Sequence, residues 1–260
     1  MTDAALELFA REYAHHRESE GRGYDEQRPS QLPYVTTGPH RHQWAIRSRT
    51  FDAFMAHVLR PAAIEMQRPL SVLDLGAGNG WLSYRVALEG HHALALDIRG
   101  DSIDGLGAAA QLLRRTPGMQ AVVAPFDAVP LPNASVDIAL FNASLHYATD
   151  LATVLREAAR VTRPDGQIAI LDSPFYRREA DGLAMVAEKR ARFGAKAELL
   201  MALPFIEFLT PERLHEAAPE LAWRRHRVQY PLGYELRPMI AAISRRRRPS
   251  RFDLWVASRS

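Results

Sequence analysis

Short apolar runs alternate with longer amphipathic stretches through the middle of the chain, from about residue 68 to 175. The amphipathic stretches Trp81–Leu88 and Leu151–Val161 contain no Gly or Pro and predict helices. The apolar runs predict five strands, at Val72–Leu75, His92–Asp97, Ala121–Ala128, Ser135–Phe141 and Ile168–Asp172. Alternating strands and helices predict a parallel, doubly wound sheet.

The flanking segments have different patterns. Residues 3–19 have the apolar spacing of an amphipathic helix. Residues 20–42 are rich in turn-forming residues and predict a loop. Residues 44–66 predict a second helix, which Pro61 is expected to interrupt. After the fifth strand, residues 176–219 predict a helical insertion, followed by a sixth strand at Ala222–Tyr230 and a final one at Phe252–Ala257. Arg163–Gln167 predicts a tight turn before the fifth strand.

These elements together predict an α/β, Rossmann-like, seven-stranded sheet that is mostly parallel and has a final antiparallel strand. The N-terminal helices and the insertion after strand five are expected to cap it. We therefore expect a helical cap or lid segment at residues 1–66 and a ligand-binding domain at residues 67–260. In such a sheet, ligands bind at the carboxyl ends of the strands, near the point where the strand order reverses.

A glycine-rich turn follows the first predicted strand. Asp74 ends this strand, and Gly76, Gly78 and Gly80 then alternate with other residues before the helix at Trp81. Glycines let the backbone turn sharply and let a ligand approach closely, and the helix start offers free N–H groups. A dinucleotide site would need a small residue where Trp81 stands, and no Lys follows as a phosphate-binding P-loop requires. The turn is therefore typical of nucleotide-type binding, and it fits neither a dinucleotide site nor a P-loop.

Acidic or polar residues also follow the next three strands. Asp97 ends the second strand, Phe126 and Asp127 lie at the end of the third, and Asn142 follows the fourth. An ionised carboxylate such as Asp97 has two oxygens that can accept hydrogen bonds from both hydroxyls of a ribose. Because these strand ends meet at one edge of a parallel sheet, Asp74, Asp97, Asp127 and Asn142 are expected to belong to one site.

In order and spacing, residues 68–175 resemble the class I S-adenosylmethionine-dependent methyltransferases, whose first motif is a strand followed by D/E-x-G-x-G-x-G. The resemblance implies S-adenosylmethionine as cofactor and S-adenosylhomocysteine as product. It implies that Asp97 holds the ribose, that Ile98 packs on the adenine and that Asp127 lies near the adenine amino group. The cofactor-binding residues are then expected to be Asp74, Gly76, Ala77, Gly78, Gly80, Asp97, Ile98, Phe126, Asp127 and Asn142.

His146 and Tyr147, after the fourth strand, are the catalytic candidates. The resemblance places them at the methyl end of the cofactor, and histidine titrates near neutral pH. The alternative for His146 is a loop histidine with a local hydrogen bond. Methyl transfer depends mainly on positioning and on desolvation of the nucleophile, so a base is needed only for a protonated acceptor.

A metal site is not expected. The chain contains no cysteine, which excludes disulfides and thiolate ligands. His40 and His42 have no nearby acid in the sequence, and Asp172, where metal-dependent O-methyltransferases carry a ligand, has no clear carboxylate partner.

The charge balance is mild, with 33 basic and 30 acidic residues, and does not by itself indicate a nucleic-acid partner. Basic charge concentrates at Arg245–Arg248, which fits a solvated hairpin tip, a contact to an anionic substrate or RNA, or an oligomer contact. The chain has no apolar stretch long enough for a membrane span and no signal-peptide pattern, so a cytoplasmic protein is expected.

The predicted function is methyl transfer to an O or N atom of a small-molecule acceptor. An RNA or protein methyltransferase and a non-catalytic cofactor-binding scaffold are the alternatives. The family members that methylate the amino group of a flipped base carry two prolines after strand four, which Asn142-Ala143-Ser144-Leu145 lacks, so that subclass is disfavoured and a nucleic-acid partner is not expected. The acceptor and the oligomeric state, including a homo-oligomer, stay open.

Overall fold

The structure, a computed structural model, describes residues 8, 10–15, 28–193 and 204–259. Residues 10–15 are helical, and most of the helix expected at 3–19 lies outside the described residues. The helices beyond it are Arg28–Gln31, Arg41–Phe54, Arg60–Met66, Trp81–Leu88, Ala110–Arg115, Leu151–Val161, Glu179–Phe193, Pro211–Ala217, Leu232–Glu235 and Arg237–Ile243. Two 3₁₀ turns, Leu106–Ala109 and Leu145–Tyr147, and a π-helical turn, Met55–Leu59, join them.

The strands form one seven-stranded sheet with the order β3-β2-β1-β4-β5-β7-β6. Their bounds are β1 Ser71–Leu75, β2 His92–Asp97, β3 Met119–Val123, β4 Val136–Asn142, β5 Thr162–Leu171, β6 Leu221–His226 and β7 Leu254–Arg259. The first five strands are parallel, and β7 runs antiparallel to both β5 and β6. The predicted fold class is confirmed, and the strand order reverses between β1 and β4.

Helices cover both faces of the sheet. On one face, Leu151–Val161 buries five apolar residues along a single stripe against the sheet. The Asp150 carboxylate caps this helix by accepting hydrogen bonds from the backbone N–H groups of Ala152 and Thr153. The other face is covered by Trp81–Leu88 and by residues 41–66, which we call the long helix.

The long helix is anchored in the core that lies over β1 and β4. Its predicted apolar face is confirmed, with Trp44, Phe51, Phe54, Met55, Val58 and Leu59 all buried. Fully burying one large apolar side chain stabilises the fold by about 1.5–3 kcal/mol. The rings of Trp44 and Phe51 also meet Trp81 edge-on, at centroid distances of 5.7 and 5.5 Å. This contact fixes the long helix against the residue that follows the glycine turn. A division of the chain at residue 66 stays a prediction.

Three local predictions were wrong. Pro61 does not interrupt the helix, because the π-helical turn Met55–Leu59 widens the backbone just before the proline ring would clash. Arg163–Gln167 lies within β5 as a bulge, where the pairing shifts between Val136 and Ile138 of β4. The sixth strand ends at His226 rather than Tyr230, because the N–H of Val228 donates to the Asp253 carboxylate instead of to a strand.

Within the described residues, no helix combines the length and apolar content needed to cross a membrane.

Candidate functional site

A cavity of about 610 Å³ lies at the carboxyl ends of β1, β2, β4 and β5. This volume is within the range of small-molecule sites, about 300–1,000 Å³. Ten of the twelve predicted site residues line it: Gly76, Ala77, Gly78, Asp97, Ile98, Phe126, Asp127, Asn142, His146 and Tyr147. The parallel sheet therefore brings residues from four separate loops to one place.

The glycine turn forms one wall of this cavity. Gly76, Gly78 and Gly80 all have left-handed backbone conformations, with φ of 77°, 56° and 70°, which L-residues with a side chain rarely adopt. A Cβ on Gly76 would overlap the Cβ of Ser144. A Cβ on Gly78 would meet only the backbone oxygen of Asp104, at 3.4 Å. The turn thus keeps the Gly78 backbone open to a ligand.

The Asp97 carboxylate is held beside this turn. Its Oδ2 accepts from the N–H of Gly78 at 2.7 Å, and its Oδ1 accepts from the N–H of Arg99 at 2.8 Å. Burial raises the pKa of Asp97, and these two hydrogen bonds oppose the rise. A carboxylate has about four acceptor positions, so about two remain for a ligand. These free acceptor positions fit the two hydroxyl donors of a ribose.

Aromatic and amide groups lie opposite the glycine turn. Phe126 packs edge-on against the buried Phe141, with ring centroids 6.1 Å apart, and half-buried Ile98 and Asp127 lie on the same cavity wall. The buried Oδ1 of Asn142 has no hydrogen-bond partner among the described residues. An apolar wall beside an unused amide oxygen fits the adenine and polar tail of S-adenosylmethionine.

Asp74 and Gly80 lie beside the cavity and do not line it. Asp74 is 1% exposed, and its Oδ2 accepts from the Ser83 hydroxyl at 2.9 Å in the helix that follows the turn. Burial raises the pKa of Asp74 to about 7. Gly80 precedes that helix and packs near Met119. Both residues are placed to shape the turn, and direct cofactor contact by either stays a prediction.

His146 and Tyr147 lie on the 3₁₀ turn after β4. Burial, with lesser contributions from Lys189 and Arg47, lowers the pKa of His146 to about 3, so its ring is neutral at neutral pH. Its Nδ1 is 3.5 Å from the Ser173 hydroxyl. The Tyr147 hydroxyl lies 3.0 Å from that of Tyr13, which places the N-terminal segment at the cavity.

The remaining wall of the cavity was not predicted as a site. It contains a carboxylate, two arginines and a group of aromatic rings that come from distant parts of the chain. These residues are Trp44, Arg47, Asp172, Phe205, Tyr234, Arg237 and Phe252. Only Asp172 had a signal in the sequence, since it ends the fifth strand.

Two further groups of residues had candidate roles in the sequence, the possible metal ligands and the basic run Arg245–Arg248. Within the part of the chain that the structure describes, no group of three His, Asp or Glu side chains is placed to hold a metal. His42 lines the cavity. In the basic run, Arg247 pairs with Glu188 at 2.8 Å, and the backbone N–H of Arg248 donates to Asp181. Part of this run is therefore engaged within the fold.

Residues 73–170 match the family described as "Methyltransferase domain". The chain is 38% identical over 106 residues to a malonyl-[acyl-carrier protein] O-methyltransferase of Halorhodospira halophila, covering 38% of this chain and 34% of the relative. It is 34% identical over 97 residues to the protein of that name from Erwinia billingiae, covering 37% and 36%. The chain thus spans about a third of the length of these curated relatives.

The fold is also similar to solved structures. The structure of geranyl diphosphate C-methyltransferase from Streptomyces coelicolor, in complex with Mg²⁺, geranyl diphosphate and S-adenosyl-L-homocysteine, superimposes with a TM-score of 0.59. The two are 14% identical, and the alignment covers 87% of this chain and 86% of that chain. This likeness concerns the fold alone. The match over residues 73–170, with the glycine turn and strand order above, identifies this region as similar to a methyltransferase domain with the class I, S-adenosylmethionine-dependent fold.

Proposed function

We propose that the chain transfers the methyl group of S-adenosylmethionine to an oxygen or nitrogen atom of a small-molecule acceptor. The observation that carries this proposal is the cavity of about 610 Å³, which has two chemically different walls. The first, which we call the cofactor wall, contains Gly78, Asp97 and Asn142, whose free acceptors and open backbone suit the cofactor. The second, which we call the acceptor wall, contains Asp172, the two arginines and the aromatic residues described above, and it offers room for an acceptor beside the cofactor.

The cofactor supplies an electrophilic methyl group on a positively charged sulfur. The residues of the chain contribute binding, orientation and exclusion of water. Asp97 holds the ribose and Phe126 covers the adenine side. His146 stays neutral because its pKa is lowered to about 3, so it adds no positive charge that would repel the sulfonium. Its ring can still position the acceptor through a hydrogen bond.

Oxygen is the better supported acceptor atom, because the relatives cited above are named O-methyltransferases. Their acceptor does not transfer directly to this chain. The matched family region ends at residue 170, whereas Arg47, Asp172, Phe205, Tyr234 and Arg237 all lie outside it. The similarity therefore concerns the cofactor wall more than the acceptor wall.

The test is formation of S-adenosylhomocysteine from methyl-labelled S-adenosylmethionine with separate panels of phenols, amines and carboxylic acids, and with bulk RNA and protein. We expect the label in a small molecule. Label that enters only RNA or protein would favour the alternative methyltransferase class. Cofactor binding without turnover on any acceptor would favour a scaffold.

A further inference from the structure

Asp172 is a buried carboxylate on the acceptor wall to which the predicted cofactor and catalytic sites assign no role. It follows β5, and its side chain is only 4% exposed. Its backbone is left-handed, with φ of 52°, which turns the chain at the edge of the cavity. An aspartate in such a place costs desolvation energy unless something pairs with it.

One carboxylate oxygen is held and the other is not. Oδ1 accepts from the Thr50 hydroxyl at 2.6 Å, and Thr50 is itself fully buried on the long helix. Oδ2 has no hydrogen-bond partner among the described residues, and the nearest cation, Arg47, has its Nε 3.9 Å away. Thr50 therefore fixes the carboxyl group, and Oδ2 keeps its capacity to accept a proton.

We propose that Asp172 is the general base for the acceptor, and that the acceptor is an aromatic hydroxyl, a phenol. This inference rests on the proposed methyltransferase function. As the acceptor oxygen forms its bond to the methyl carbon, the carbon–sulfur bond breaks and its electron pair stays on sulfur. The hydroxyl proton moves to Oδ2 of Asp172 and later leaves to solvent.

The acceptor wall favours a phenol over an amine or a carboxylic acid. Arg47 and Arg237 both line the cavity, and their two positive charges outweigh the one negative charge of Asp172, so a protonated amine would be repelled. The arginines would attract a carboxylate acceptor, but a carboxylate is already ionised and has no proton for Asp172 to take. A neutral phenol meets no net repulsion and supplies that proton, and Arg47 can stabilise the negative charge that develops on its oxygen.

The aromatic lining of the cavity and the raised pKa of Asp172 also match a phenol as acceptor. Trp44, Phe205, Tyr234 and Phe252 line the same cavity, and aromatic faces pack well on an aromatic acceptor. Burial raises the pKa of Asp172 above its ordinary value, with Arg47 and Thr50 opposing the rise. A base with a raised pKa takes a proton more readily from a phenol, whose own pKa is about 10.

Other ionisable groups near Asp172 do not compete for this role. Arg47 is cationic, and burial raises the pKa of Tyr230 so that this phenol stays neutral. His146, on the neighbouring turn, titrates far below neutral pH because burial lowers its pKa to about 3. The pKa of Asp97 is raised too, but this residue lies on the cofactor wall. Its titration would change the affinity for the cofactor, so measuring cofactor affinity against pH distinguishes it from the titration of Asp172.

The experiment compares wild type, Asp172→Asn, Asp172→Glu and the surface control Asp165→Asn on phenols of graded acidity, with benzoate and benzylamine as the other acceptors. We expect only the phenols to be methylated. Asp172→Asn should lower kcat by about 100-fold or more, as loss of a general base does. It should leave the KM for the phenol and the affinity for S-adenosylhomocysteine within about threefold, and Asp172→Glu should restore part of the rate.

The decisive readout is the dependence on phenol acidity and on pH. The defect of Asp172→Asn should shrink for acidic phenols such as 4-nitrophenol, which ionise without help, and the acidic limb of the wild-type kcat/KM profile should disappear. An equal defect for all phenols, or wild-type rates in Asp172→Asn, would overturn the base assignment. Preference for benzoate or benzylamine, or no methylated phenol in a protein that binds S-adenosylhomocysteine, would overturn the phenol. Failure to bind S-adenosylhomocysteine at all would instead contradict the proposed function.

Discussion

Replacing Asp97 with Asn tests the cofactor wall most sharply. The Asp97 carboxylate accepts backbone N–H bonds from Gly78 and Arg99 at 2.7 and 2.8 Å and keeps spare acceptor positions that face the cavity. In the proposed complex these positions accept from the ribose hydroxyls. The substitution keeps the shape of the side chain, removes its charge and replaces one acceptor oxygen with a donor.

The size of the effect follows from the hydrogen bonds lost. A hydrogen bond to a charged group contributes about 1.5–3 kcal/mol, which corresponds to a decrease in affinity of about 10- to 150-fold. The asparagine amide also leaves one of the two buried N–H groups without an acceptor, at a cost of about 1–3 kcal/mol in stability. We therefore expect Asp97→Asn to bind more weakly and to melt at a lower temperature.

The assay is calorimetric titration with S-adenosylhomocysteine, with a thermal melt of each variant to show that it is folded at the titration temperature. Asp165→Asn, on the exposed part of β5, is the matched control and should bind like wild type. Wild-type affinity in a folded Asp97→Asn protein would refute the assignment of Asp97 to the ribose.

Three further predictions concern the same site. Gly78→Val should lose S-adenosylhomocysteine binding by calorimetry in protein that is still folded at the assay temperature. Both glycines have a left-handed φ that strains any side chain, but Gly76→Ala should unfold at lower denaturant than Gly78→Ala because its Cβ also overlaps Ser144; equal denaturation midpoints would contradict the open turn. The His146 ring should show no NMR titration between pH 5 and 8, because its folded pKa is lowered to about 3. As pH falls below about 6.5, the unfolded chain binds a proton at this histidine that the folded protein does not, so the wild type loses stability. The loss of stability caused by His146→Gln should therefore be smaller at pH 5 than at pH 8. Because the folded pKa of Asp74 is raised to about 7, ionisation of this carboxyl group lowers the stability of the wild type as pH rises from about 4 to 7. Asp74→Asn cannot ionise, so its melting temperature relative to wild type should rise over that range. A difference that stays constant with pH would contradict burial of the Asp74 charge.

The fold and the cofactor wall were predictable because their signals are local. A strand, a glycine turn and a helix lie within residues 72–88, and the ends of parallel strands must meet at one edge of the sheet. Asp97, Asp127 and Asn142 could be assigned to one site from their positions at strand ends alone. The cavity contains all three.

The acceptor wall could not be predicted because packing assembles it from segments far apart in the sequence. Arg47 reaches the cavity only because the long helix is anchored by its buried face, and Tyr234 and Arg237 come from two short helices before β7. Nothing in their local sequence indicates a site. Asp172 ends a strand, but its value as a base depends on Thr50, which is 122 residues away in the chain.

The continuous path of the long helix was missed for a related reason. Proline in a helix interior removes an N–H and clashes with a preceding carbonyl, so Pro61 predicted a break. The π-helical turn at Met55–Leu59 relieves this clash, while Phe54, Val58 and Leu59 bury their side chains fully or nearly so. Tertiary burial outweighed the local preference.

The central claim is that this chain binds S-adenosylmethionine and not another adenine nucleotide. Calorimetric titration of wild-type protein with S-adenosylhomocysteine, with NADH titrated in parallel, tests it most directly. We expect micromolar binding of S-adenosylhomocysteine and no binding of NADH, because Trp81 occupies the position where a dinucleotide turn needs a small residue. Folded protein that does not bind S-adenosylhomocysteine, or that binds NADH more tightly, would show that the glycine turn is not a site for S-adenosylmethionine.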